Sequence, residues 1–277
     1  NKVSYTATSS GRGRASFLAK TDEFAGSDSL YGATEATPGE YKVVPVIGGP
    51  VAVVFNVAGV NNLRLDAKAV SDIFSGTITK WNDPAIAALN PTATLPDKNF
   101  VVVYRSSNSG TTQNFQEYLN ENVGGIWPNA NQAWAGMKTG ANVSVSSDMA
   151  YKVKTTANSI GYVDLSDVDV KVGKAAIKVG KKFVKPTVAT TSKALSKQTV
   201  GPDGTMNIDF TKKVDGGYPL SIVTYVIIPM GVGEKGKATA AFASYAVETC
   251  SKKPFKGYAG FTGANLKKAA WFAKQGS

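Results

Sequence analysis

Three features of this 277-residue chain predict an α/β protein. Runs of β-branched residues alternate with segments of helical spacing. Hydrophobic residues make up 43%, enough to fill the core of one large or two medium domains. No repeat of fixed period and no long low-complexity linker interrupts the alternation.

The elements follow in chain order. Val3 to Ala7 reads as a short strand. Ser9-Ser10-Gly11-Arg12-Gly13-Arg14 is a Gly/Ser loop, with a helix opening at Ala15. Glu23 to Ser29 is a strand end running into a polar turn. Tyr41 to Val46 and Val51 to Val57 are β-branched runs around Ile47-Gly48-Gly49-Pro50. Asp66 to Phe74 has helical spacing and stops at Ser75-Gly76. Asn82-Asp83-Pro84 caps a short helix through Leu89, and Asn90-Pro91 ends it. Phe100 to Tyr104 is a strand. Ser147 to Lys154 reads as a helix, Ser159 to Val163 as a strand, and 168–185 as strands with Gly turns. A helical patch starts at Ser192, and 197–217 is polar loop. Tyr218 to Pro229 holds an apolar strand, Lys237 to Cys250 a helix, and Leu266 to Lys274 a final amphipathic helix.

Composition narrows the function. Lys and Arg outnumber Asp and Glu by 31 to 20, and the resulting +11 field draws anions. Lys171, Lys174, Lys178, Lys181, Lys182 and Lys185 alternate with Val, Ala, Ile and Phe, which reads as the wet side of strands. No nucleic-acid stripe emerges, so nucleic acid is not expected as a partner. With no histidine and one cysteine, Ser-His-Asp and Cys-His catalysis are excluded, and no zinc, haem or iron–sulfur site is expected. Cys250, inside a helical stretch, reads as packing. There is no Walker-type phosphate loop and no second carboxylate cluster for metal ions, so the chain reads as a non-enzyme without cofactors. No apolar run approaches the ~20 residues of a membrane span. The start, Asn1 to Tyr5, lacks a signal-peptide pattern, so an exported protein would be represented here without its signal segment.

The most informative stretch is Arg105-Ser-Ser-Asn-Ser-Gly-Thr-Thr-Gln-Asn-Phe115. An apolar strand leads into it and an amphipathic segment, Phe115 to Leu119, follows. Backbone N–H groups at a helix start lack partners inside the helix and carry partial positive charge. Hydroxyls add donors, Gly110 permits close approach, and Arg105 can grip an oxyanion with two prongs. This suits a small tetrahedral anion; it also fits a Ser/Thr-rich helix cap beside a surface Arg.

Several motifs together resemble the phosphate-binding proteins of bacterial phosphate ABC transporters. Val3 to Gly13 is similar to that family's strand and Gly-Ser-Gly loop, and Phe24-Ala25-Gly26-Ser27-Asp28 to its Phe-Gly-Ala-Ser-Asp turn. Val44 to Val51 resembles its first inter-domain crossing. Ile73-Phe-Ser-Gly-Thr-Ile-Thr-Lys-Trp-Asn-Asp-Pro-Ala-Ile86 is a specific signature, continued by Leu89-Asn90-Pro91 and Leu95-Pro96. Arg105 to Thr111 matches the family's Arg-x-Asp-x-Ser-Gly-Thr loop with one change. Ile160-Gly161-Tyr162 and Tyr218-Pro219-Leu220 also fit.

The resemblance implies a type II periplasmic-binding-protein-like fold, two domains with one anion in the cleft between them. Residues 1–47 plus 220–277 would form domain I and 48–219 domain II. Ser10, Gly11, Arg105, Ser109, Gly110 and Thr111 would donate to phosphate, and Asp28 would accept a proton from it. Sulfate carries no proton near neutral pH, so Asp28 would exclude it. The implied partners are inorganic phosphate and a membrane permease, and the implied location is extracytoplasmic. The alternative is a surface or matrix scaffold reusing the fold with a weakened site.

Two departures stand out. Ser107 replaces the family's Asp, which implies a less neutralised Arg105. The family's initial strand, Thr-Phe loop and helix, roughly 30 residues, have no counterpart, so a separate N-terminal segment or second chain is a possible further partner.

Overall fold

The computed structural model describes residues 2–32, 35–231 and 233–274. Its longest element is β2 (Tyr41–Asn56), a 16-residue strand. The sequence divides this stretch at Gly48-Gly49-Pro50, yet the strand runs through without a turn. Pro50 pairs with Ser221, and Gly48 exchanges hydrogen bonds with Ala259. A Cβ at Gly48 would run into Leu195 Cδ1 and come within 3.1 Å of the Ile222 carbonyl, so the glycine serves packing rather than a turn.

The first part of β2 pairs antiparallel with β10 (Ser221–Pro229), which pairs in turn with β1 (Ala25–Ser27). The second part pairs antiparallel with β6 (Ser159–Asp164). β6 lies parallel to β4 (Val101–Arg105), and β4 parallel to β5 (Ala141–Val143). The order is β1-β10-β2-β6-β4-β5, with β7 (Gly173–Lys174) also on β2. A small sheet joins β3 (Arg64–Leu65), β8 (Ala176–Val179) and β9 (Lys182–Val184).

Burial follows the same division. Val43, Val44 and Val46 of β2 sit in one apolar core with Val226, Ile227, Ala243 and Val247. Val51, Val53 and Phe55 sit in a second with Phe74, Trp81, Phe115 and Tyr162, and Ala52 and Val54 face a third with Val103, Met149 and Val163. Leu195, Val200 and Met206 join the first core, although they lie between segments of the second.

The helices are α1 (Ser10–Leu18), α2 (Ala67–Ser75), α3 (Pro84–Leu89), α4 (Gly110–Val123), α5 (Ser147–Thr155), α6 (Val188–Leu195), α7 (Glu234–Tyr245) and α8 (Gly263–Lys274). The 73–86 signature is structural. Gly76 ends α2 in the left-handed region at φ 86°, Asp83 caps α3 with Pro84 at its start, and Trp81 is wholly buried, donating to the Asn158 carbonyl at 3.1 Å.

Some expected elements shift. α1 begins within the Gly/Ser stretch because the Ser9 hydroxyl accepts from the Arg12 N–H. α6 begins earlier than Ser192, through a capping box between Thr187 and Thr190. α7 ends at Tyr245 and continues as a π-helix over Ala246–Cys250. Val3 to Ala7 is not a strand: it has no ladder partner, and Val3 and Tyr5 stay 48% and 63% exposed. The lysine-rich strands fold as expected, with Ile177, Val179 and Val184 buried and Lys178, Lys181, Lys182 and Lys185 exposed. No described helix is long and apolar enough to cross a membrane.

Candidate functional site

A cleft of about 630 Å³ opens where these sheet segments meet. Ser10, Asp28, Arg105, Ser109 and Thr111 line it, together with Ser146, Asp164, Asp167, Thr224 and Tyr258. The strands deliver their carboxyl ends here, as open α/β sheets do. Arg105 is the last residue of β4 and Asp164 the last of β6; Asp28 follows β1 directly. Two helix N-termini, those of α1 and α4, add donors and partial positive charge.

The start of α4 rests on an aromatic layer. Phe115 stacks on Tyr162 at 4.4 Å, and Trp134 stacks on Tyr162 at 5.4 Å. The Tyr162 hydroxyl bonds Thr112 Oγ1 at 2.8 Å and accepts from the Arg105 N–H at 3.3 Å. Burial and these bonds fix the end of β4 against the first turn of α4; burial also pushes the Tyr162 hydroxyl up to about 12. Ser109 caps α4, its hydroxyl accepting from the Thr112 N–H at 3.3 Å.

Arg105 is only 3% exposed. Its guanidinium donates to Ser146 Oγ at 2.9 Å, the Ser144 carbonyl at 2.9 Å and Ser107 Oγ at 3.1 Å. Ser107 thus holds the guanidinium with a neutral hydroxyl where the family loop has a carboxylate. No described carboxylate lies within ion-pair distance of it. Burial lowers the Arg105 pKa, while Tyr162, Asp164, Asp28 and Asp167 raise it. Negative charge therefore reaches Arg105 from other strands, not from its own loop.

Asp28 binds through both backbone and side chain. Its N–H donates to Ser10 Oγ at 3.1 Å, its carbonyl accepts from Asn114 at 2.7 Å, and its Oδ1 accepts from Thr224 Oγ1 at 2.6 Å. Burial, more than any other cause, raises its carboxyl above the usual range; Thr224 and Arg105 pull it down, and Asp167 pushes it up.

Gly11 and Gly110 lie where loops press together and are not among the lining residues. A Cβ on Gly110 would collide with Ser10 Oγ and come within 2.9 Å of Asp28 Cβ; one on Gly11 would come within 2.7 Å of Asn108 Cβ. Both glycines let the two helix N-termini converge.

Asp164, Asp167, Ser146, Thr224 and Tyr258 are not predicted by the sequence reading. Asp164 directly follows the recognised Ile160-Gly161-Tyr162-Val163 strand, and a carboxylate at that strand's end is the one available signal. Among the described residues, Asp28, Asp164 and Asp167 do not group closely enough to hold a metal ion.

A family model described as a PBP superfamily domain matches residues 1–249. The phosphate-binding protein PstS 3 of Mycobacterium leprae is 32% identical over 256 residues, covering 87% of this chain and 69% of that protein. The chain belongs to the PBP superfamily, among its PstS phosphate-binding proteins. Within this family, PstS 3 of Mycobacterium tuberculosis is 33% identical over 241 residues, covering 82% of this chain. The chain spans 65% of that relative's length. The solved structure of a high-affinity periplasmic phosphate-binding protein, PfluDING, bound with phosphate, matches at 22% identity and a TM-score of 0.77. It covers 96% of this chain and 86% of its own, and shows the type II periplasmic-binding-protein fold. Nothing in these comparisons favours the scaffold alternative.

Proposed function

We propose that this chain captures inorganic phosphate outside the cytoplasm and passes it to a membrane ABC permease, catalysing no reaction. The observation that carries the proposal is one cleft holding a buried Arg105, two helix N-termini and a carboxylate with an uncommitted oxygen. The names of the PstS relatives support it.

In this reading Ser10, Arg105, Ser109 and Thr111 donate to the anion, with the backbone at Gly11 and Gly110 close by. Asp28 accepts the proton that phosphate carries and sulfate lacks. An unprotonated oxygen against Asp28 would leave two acceptors facing each other in a dry site, which costs several kcal/mol. Residues 1–47 plus 220–277 form one domain and 48–219 the other, with Leu195 to Met206 lying against the first domain's core. The domains close over the anion as hinged pairs do.

Arg105→Lys tests the grip. Lysine keeps the charge but loses the rigid fork. Phosphate affinity is expected to fall about tenfold or more, the loss of one charge-assisted hydrogen bond, with the protein still folded at the assay temperature. Equilibrium dialysis with labelled phosphate measures this; an unchanged affinity would remove Arg105 from the site.

A further inference from the structure

Thr111 presents a conflict. The phosphate reading needs its hydroxyl to donate to the anion, yet Thr111 Oγ1 lies 2.8 Å from Asp164 Oδ2. A hydroxyl has one proton. If Asp164 is ionised, it takes that proton, and Thr111 turns only lone pairs toward the cleft. An anion would then meet an acceptor where it needs a donor.

The surroundings of Asp164 resolve this. Its Oδ1 is shut off from solvent and has no hydrogen-bond partner among the described residues. Its Oδ2 has Thr111 and, at 3.5 Å, Ser146. No cation among the described residues is within ion-pair distance of it; the Ser146 hydroxyl stands between it and Arg105. An ionised carboxylate with an orphaned buried oxygen is costly, and a protonated one needs far less. The titratable groups facing it are Asp28 beyond β1, Asp167 on the short 3-10 helix, Arg105 on β4 and Tyr258. Burial first, then Asp28 and Asp167, hold its carboxyl well above the usual range, against smaller opposing pulls from Thr111 and Arg105.

Resting on the phosphate reading, we propose that Asp164 sits in the cleft as a neutral carboxylic acid whose Oδ2–H donates to Thr111 Oγ1, releasing the Thr111 proton to the bound anion. Asp164 is thus a positioning residue that acts through Thr111. It also removes one negative charge from a cleft lined by five carboxylates, Asp22, Glu23, Asp28, Asp164 and Asp167, against two guanidiniums, Arg12 and Arg105. Phosphate binding becomes sensitive to the loss of this proton: ionised Asp164 both reclaims the Thr111 hydrogen and repels the anion.

The test is calorimetric phosphate titration across pH for the wild type, Asp164→Asn and Asp164→Ala. The Asn amide N–H donates to Thr111 as the protonated acid does, and cannot ionise. Asp164→Asn is expected to bind within about threefold of wild type in mildly acidic buffer and to keep that affinity in alkali. Wild type is expected to lose affinity more steeply, by up to about tenfold per pH unit relative to Asp164→Asn once Asp164 ionises. Asp164→Ala is expected to bind about tenfold more weakly than Asp164→Asn throughout. Coincident pH profiles for wild type and Asp164→Asn would overturn the proposal, as would Asp164→Asn binding no better than Asp164→Ala. Should the Asp164 variants fail to fold, Thr111→Val decides: its binding must weaken and its alkaline limb must become shallower, leaving only the repulsion by ionised Asp164, and a limb identical to wild type overturns the relay. Wild type that binds no phosphate at any pH would instead overturn the phosphate reading itself.

Discussion

Asp28 and Asp164 line the cleft half-buried, with Asp164 Oδ1 shut off from solvent. Burial raises each carboxyl in the folded state. The unfolded chain has ordinary carboxylates near ~3.9. Above that value and up to the folded pKa, the folded protein binds more protons than the unfolded chain, so stability falls as pH rises through this window. Without phosphate, the wild-type melting temperature is expected to drop relative to Asp164→Asn as pH rises above the ordinary carboxylate range, with the gap closing in acid. Calorimetric melts check this; a gap that widens in acid contradicts the burial of Asp164 as a neutral group. The sequence made Asp28, Arg105 and Ser109 legible because each sits in a short loop with its own local pattern. Asp164 and Ser146 were hidden: they reach Arg105 only through the pairing of Val103 with Gly161 and of Arg105 with Val143, registers that local spacing does not encode.

Most helices and strands are visible in the sequence, and those that differ do so for physical reasons. Gly48-Gly49-Pro50 has turn composition, yet β2 continues through it because Leu195 of α6 and the β10 backbone occupy the space a side chain would need. Gly48→Ala is therefore expected to destabilise the protein by about 1–3 kcal/mol, the cost of overpacking. Adding Leu195→Ala should give less total loss than the sum of the two single variants, because the alanine methyl enters the vacated space. Urea unfolding of the four proteins measures the cycle; strict additivity would show that the two residues do not share that space. The segment Val3 to Ala7 departs from its pattern for the opposite reason. Its alternation fits a strand, but no neighbouring backbone pairs with it, and Tyr5 instead stacks on Phe24 at 6.3 Å.

For the whole molecule, the long β2 links separate cores, and only a few polar contacts tie the Asp28 turn to α4 and the loop after it. Gln132 donates to Ser29 Oγ at 2.5 Å, and Asn114 donates to the Asp28 carbonyl at 2.7 Å. These bonds cross the proposed domain boundary next to the cleft, so they stabilise the closed form. Gln132→Ala is expected to speed phosphate release about tenfold, the loss of one buried hydrogen bond, while leaving the melting temperature of the phosphate-free protein within a few degrees. Stopped-flow release into a phosphate trap reads this, and an unchanged rate would mean that the contact does not hold the domains together.

In the proposed function this cleft binds phosphate and distinguishes it from sulfate. Calorimetric titration of phosphate-stripped protein with each anion tests it most directly. One phosphate per chain with measurable heat, and none from sulfate under the same conditions, is the predicted result. Folded protein that gives no heat with phosphate, or equal heat with both anions, would rule this function out.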